Sequence, residues 1–410
     1  MCTEDFIKMD ADDPLAGLRE AFDLPPDMVY LDGNSLGALP RHVRARLDRV
    51  VAEQWGQDLV TGWNQHGWID LPRRVGDRIG GLVGAAPGQV ICADSVSANL
   101  FKLLAAALEL RPGRRVILAE DGDFPTDRYM AAGLAGLLGE ARCQVRAVPR
   151  VELESALNGD VAVLMLTQVN FRDGYRHDIE RLTAAAHEHG ALVLWDLSHS
   201  AGAMPIGLDR MQADLAVGCG YKYLNGGPGA PAWLYVAERH QAQARQPLSG
   251  WMGHRRAFEF ETEYEPAAGV ERFLCGTPGI LGMAALDAAL DVFERVSLDD
   301  LRTRSIALNE AFIAAVDALD RQELRLLTPR SPERRGSQVS LAHSSAYGIA
   351  QALIERKIIV DFRTPDIVRF GFSPFYTSFA DVGRAVAVLD EIMQTEAYRD
   401  PRFAQRNLVT

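Results

Sequence analysis

Lys222 stands in the glycine-rich stretch Gly218-Cys219-Gly220-Tyr221-Lys222-Tyr223-Leu224-Asn225-Gly226-Gly227-Pro228-Gly229, and Asp196 closes the apolar run Ala191-Leu192-Val193-Leu194-Trp195. A primary amine in a turn and a carboxylate at the end of a strand are the two groups that pyridoxal phosphate (PLP) requires. The amine forms a Schiff base with the aldehyde, and the carboxylate keeps a proton on the ring nitrogen. A protonated ring takes up electrons from the neighbouring carbon. The pair therefore predicts carbanion chemistry on an amino acid.

PLP also presents a phosphate and a flat ring. Phosphate is held by backbone N–H groups at a helix start together with hydroxyl donors. The segment Asp94-Ser95-Val96-Ser97-Ala98-Asn99-Leu100-Phe101-Lys102 offers both, with Ser97 placed where a helical pattern over 100–110 begins. The simpler alternative is that Ser95 or Ser97 only caps that helix. Phe124 follows a strand that ends at Glu120 and is a candidate to stack on the ring, or else a core plug. In Asp196-Leu197-Ser198-His199-Ser200, Asp196 would neutralise the ring nitrogen and His199 would bond the ring oxygen or steady Asp196. His199 could equally be a satisfied histidine at a helix start. Tyr221 could donate to phosphate, move a proton, or be an ordinary buried tyrosine.

These groups need a scaffold that brings them to one edge. Between about 85 and 240, short β-rich runs alternate with helical stretches. Strands are expected over 116–120, 161–166, 191–195, 215–217 and 232–236, and helices over 127–138 and 179–189, the second stopped by Gly190. Strands that are apolar throughout indicate an α/β sheet covered on both faces, which binds ligands beyond the carboxyl ends of its strands. After about 300 the pattern becomes that of a smaller α+β region. It has helices over 301–319, 347–356 and 379–393, the last capped by Ser378, and strands over 324–327, 338–341, 358–360 and 368–372.

The 410-residue chain carries 43 Lys and Arg against 55 Asp and Glu, a net charge of −12, which argues against nucleic acid or an anionic membrane as a large partner. Its five cysteines (Cys2, Cys92, Cys143, Cys219 and Cys275) show no metal-binding spacing, so no metal is expected and the thiols read as reduced. The first ten residues lack an apolar core, and no apolar run reaches the roughly twenty residues of a membrane helix. A cytoplasmic protein is expected.

Taken in order, the motifs resemble the kynureninase family of fold-type I PLP enzymes, in the aspartate aminotransferase superfamily. They are Leu31-Asp32-Gly33-Asn34-Ser35-Leu36-Gly37, the segments around Ser97, Phe124, Asp196 and Lys222, Gly250-Trp251-Met252-Gly253-His254, Gly276-Thr277-Pro278, and Arg369-Phe370-Gly371-Phe372-Ser373-Pro374-Phe375-Tyr376. The resemblance implies a large PLP domain over 65–295 with a mostly parallel seven-stranded sheet. The small domain would be formed by 1–64 and 296–410. It implies hydrolysis of the Cβ–Cγ bond of L-kynurenine, in tryptophan degradation, to anthranilate and L-alanine, with 3-hydroxy-L-kynurenine as a second substrate left open.

By the same resemblance, Lys222 is the Schiff-base lysine, and Val96, Ser97, Tyr221, Trp251 and Thr277 hold the phosphate. Phe124 stacks on the ring, while Asp127, Thr167, Asp196 and His199 surround its polar edge. Arg369 grips the substrate carboxylate, and Trp63, His66 and Trp68 are candidates for the aryl pocket. A homodimer is implied, with Trp251 and Thr277 reaching the partner's site. Two rival readings stay open: a related PLP enzyme, such as a cysteine desulfurase using Cys275 or an aminotransferase, and a non-catalytic nucleotide-binding α/β protein. The absence of a GxxxxGK[ST] or GxGxxG motif counts against the second.

Overall fold

The computed structural model describes residues 3–404, so Cys2 and the last six residues lie outside the description. Its centre is a seven-stranded sheet of β1 (Val90–Cys92), β2 (Val116–Glu120), β3 (Gln144–Val148), β4 (Val161–Thr167), β5 (Leu192–Asp196), β6 (Leu215–Cys219) and β7 (Ala232–Val236). Their spatial order is β1-β7-β6-β5-β4-β2-β3. β7 runs antiparallel to both its neighbours, and the other six strands share one direction. In six strands every residue is buried. Two apolar clusters lie on the sheet's two faces: Val116, Leu118, Leu164, Val193 and Trp195 in one, Ile117, Ala119, Val163, Leu192 and Leu194 in the other. That division follows the period-two alternation of side chains along a strand.

Two strands of this sheet were not anticipated. β1 has only three residues. β3 reads Gln-Val-Arg-Ala-Val and is only partly buried, because it forms the edge of the sheet and one of its faces needs no apolar side chain.

The carboxyl-terminal region forms a four-stranded sheet of Arg325–Leu326, Gln338–Ala342, Ile367–Gly371 and Asp361–Arg363, all antiparallel. The helices Leu298–Asp317, Ala346–Glu355 and Phe379–Thr395 surround its core. The amino-terminal segment serves both bodies. Phe6, Val29 and Leu31 enter the carboxyl-terminal core, and Val29–Tyr30 pairs in parallel with Ile358–Ile359. Phe22 and Ala38 join the core of the large sheet.

Candidate active site

The common direction of six strands places the segments that follow β1, β2, β4, β5 and β6 along one edge of the sheet. Those segments carry Asp94 to Ser97, Asp123 to Asp127, Thr167, Asp196 to His199, and Gly220 to Lys222. Thr167 and Asp196 are direct neighbours across the β4–β5 ladder. The Lys222 amine lies 3.0 Å from Nε2 of His199 and 5.9 Å from the centroid of the Phe124 ring. Phe124 in turn meets Phe171 edge-to-face at 5.2 Å.

The lysine turn is held by backbone contacts. Asn225 N–H donates to the Lys222 carbonyl at 2.9 Å, and Gly37 N–H donates to the Tyr221 carbonyl at 2.8 Å. A Cβ on Gly37 would collide with the Lys222 carbonyl, so glycine is required where the segment 31–37 crosses the turn.

The carboxylates around the lysine differ in their surroundings. Asp196 is buried and accepts a hydrogen bond from the Ser198 backbone N–H at 2.7 Å. Asp127 is buried with neither oxygen partnered. Burial first, and then the charge of Asp196, hold its carboxyl well above the usual range, which favours its protonated form. Burial pushes Asp123 up to about 8, and the Thr167 hydroxyl donates to it. His199 lies far below its ordinary value because it is buried beside the Lys222 charge; its imidazole is neutral and accepts from the amine, while Nδ1 has no partner. Burial raises the Tyr221 phenol, which stays protonated.

At the other end of the edge, the helix Val96–Leu110 begins with Ser95, not Ser97, as its cap: Ser95 Oγ accepts from Ala98 N–H at 3.3 Å. The first N–H groups of an α-helix have no partner within it, so those of Val96 and Ser97 are available to an anion. Orphaned buried polar atoms are costly unless a ligand satisfies them. Two carboxyl oxygens and an imidazole nitrogen without partners, an amine, an aromatic ring over it and a free helix start make up the donor and acceptor set that PLP would satisfy. The residues fit that group.

Arg369 is 1% exposed and lies opposite Asp361 in the antiparallel pair Asp361–Arg363 and Ile367–Gly371. Its Nε donates to Asp361 Oδ1 at 2.9 Å, its Nη2 to Asp361 Oδ2 and to Ser35 Oγ, and its Nη1 to the Phe171 carbonyl at 2.7 Å. It sits close enough to His199 to lower that imidazole's pKa, which ties it to the lysine cluster. It is buried within a network.

The remaining candidates lie apart. His66 pairs with Asp58 at 2.7 Å, and Trp68 donates to Gln54 at 3.0 Å and meets Trp63 edge-to-face. Trp251 stacks on Phe260, and Thr277 is exposed beside a cleft of about 310 Å³. Among the described residues, no hydrogen bond, ion pair or ring contact joins these side chains to Lys222. Sequence reasoning missed Asp123, Phe171, Ser35 and Asp361. Ser35 belongs to the quoted segment 31–37 but had no role, and Asp361 carried no motif at all.

The fold is that of the fold-type I PLP enzymes. A cysteine desulfurase from Thermococcus onnurineus NA1 superposes with a TM-score of 0.78 at 21% identity, covering 93% of this chain and 98% of that one. A C-DES variant with glycine covalently linked to its PLP cofactor superposes with a TM-score of 0.75 at 19% identity, covering 91% and 99%. In sequence, residues 301–389 match the model of the kynureninase C-terminal domain. Curated kynureninases from Burkholderia pseudomallei (strain 1106a) and Pseudomonas fluorescens are 49% and 47% identical, each over 99% of both chains. The chain belongs to the kynureninase family.

Proposed function

We propose that the protein hydrolyses the Cβ–Cγ bond of L-kynurenine to anthranilate and L-alanine, with PLP held at Lys222 as its cofactor. The observation that carries this reading is the identity of nearly half the residues with curated kynureninases along the whole chain. When bound, PLP supplies an aldehyde that condenses with amines and a ring that accepts electrons from the adjoining carbon.

The chain's own residues do the rest. The N–H groups of Val96 and Ser97 and the Tyr221 phenol hold the phosphate. Phe124, whose ring centroid lies 5.9 Å from the Lys222 amine, would cover one face of the ring and exclude water. Asp196 would keep the ring nitrogen protonated, and the buried Asp127 carboxyl beside it is held well above the usual range. The Lys222 amine would move the proton at the substrate Cα, and the neutral His199, 3.0 Å away, accepts from that amine and orients it. Tyr221 carries a proton at the Cγ carbonyl as water adds. Arg369 binds the α-carboxylate.

The separate position of Trp251, Thr277 and His66 supports a homodimer in which a second copy completes each site. The described residues include no helix long and apolar enough to cross a membrane, and the composition supports a cytoplasmic enzyme. Lys222→Ala should abolish anthranilate release from L-kynurenine, followed by its fluorescence; wild-type turnover in that variant would overturn the assignment. Sulfide released from L-cysteine at a comparable rate would favour the desulfurase chemistry instead.

A further inference from the structure

The arginine expected to bind the substrate has little left to bind it with. A guanidinium has five N–H donors. Arg369 commits Nε and both hydrogens of Nη2 to Asp361 and Ser35, and one hydrogen of Nη1 to the Phe171 carbonyl. Only one N–H remains, on a side chain that is 1% exposed. A carboxylate could take a two-point grip there only by breaking a buried ion pair, which leaves Asp361 without its main counter-charge.

A second guanidinium lies beside it. Asp361 and Arg363 are two residues apart on one strand, so their side chains share a face, and Asp361 is the register partner of Arg369. The opposite face carries Phe362, Val368 and Phe370 into the core. Arg363 is 32% exposed, and its Nη2 contacts Asp361 Oδ2 at 2.8 Å and Ser35 Oγ at 3.3 Å, while Nη1 donates to the Phe362 carbonyl at 3.0 Å. Its Nε and one Nη1 hydrogen are uncommitted. Like Arg369, it acts electrostatically on His199, whose Nε2 touches the Lys222 amine.

We propose that Arg363 is a second carboxylate-binding residue, holding the α-carboxylate of the amino-acid substrate jointly with Arg369 while Asp361 and Ser35 set the two guanidiniums side by side. This deepens the proposed kynurenine cleavage and rests on it. The division of labour follows from exposure: Arg369 is a fixed positive wall with one donor left, and Arg363 supplies the donors that Arg369 has spent on Asp361.

The test compares two ligands of the holoenzyme: L-kynurenine, and the same molecule with hydrogen in place of the α-carboxylate. Arg363→Ala should weaken affinity for L-kynurenine by about tenfold or more, the scale of a charge-assisted hydrogen bond. Affinity for the decarboxylated analogue should not change, and Arg363→Lys should recover part of the loss. Unchanged affinity for L-kynurenine in Arg363→Ala overturns the proposal. So does an equal loss for both ligands, which would make Arg363 a support of the fold alone. If the wild-type enzyme released no anthranilate, the proposed reaction would fail instead, and displacement by L-alanine against ethylamine would still report on Arg363.

Discussion

Two carboxyl groups at one site do different work when only one of them is supplied with a donor. Asp196 has the Ser198 N–H at 2.7 Å, and Asp127 has none. Burial first, and then the charge of Asp196, push the Asp127 carboxyl well above its usual range and so favour its protonated form. An amide can replace a protonated carboxyl but not a carboxylate. Asp196→Asn should lower kcat by about 10²–10⁴, the range for loss of a positioned acid–base group, and Asp127→Asn by far less. Steady-state kinetics of the two variants decide the matter: equal losses would show that the charge is shared. At this scale Lys222, Asp196, His199 and Phe124 could be picked out from residue type and spacing, because each follows a recognisable strand. The Arg369 network could not. Ser35 and Asp361 touch across 326 residues of sequence, and neither has a local pattern that marks it.

Elements whose ends are set by local chemistry could be read from sequence, and those set by distant partners could not. The helix Phe379–Thr395 shows both cases. Ser378 was expected as its cap, and it forms a capping box in which its side chain accepts from Asp381 N–H at 3.0 Å and Asp381 accepts from Ser378 N–H at 3.0 Å. The next two N–H groups, of Phe379 and Ala380, donate instead to Asp10 at 2.7 and 2.8 Å. Asp10 lies 369 residues earlier than Phe379, beyond the reach of any local motif. Ser378→Ala and Asp10→Ala should each cost about 1 kcal/mol. Because they serve different N–H groups, the double variant should lose the sum to within about 0.5 kcal/mol. Urea unfolding would measure all three, and a double variant no weaker than either single one would refute independent capping.

Across the whole molecule, the amino-terminal segment is the piece that binds the two bodies into one active site. It sends Phe6, Val29 and Leu31 into the carboxyl-terminal core and Phe22 into the core of the large sheet. It then delivers Ser35 to Arg369 and Gly37 to the lysine turn. Composition and strand pattern revealed the large sheet because its strands are apolar from end to end, whereas this segment has strands of only two residues and no periodicity. Its anchor is electrostatic and hidden: Arg304, on the helix Leu298–Asp317, meets Asp13 at 2.7 Å with both side chains about 5% exposed or less. Removing one member of such a pair strands a buried charge. Asp13→Asn should therefore lower unfolding free energy by about 3–5 kcal/mol, well beyond the 0–1 kcal/mol of an exposed pair. Urea denaturation of the holoenzyme measures it. A loss within the exposed-pair range would mean that water reaches Arg304 and that apolar contacts alone hold the segment in place.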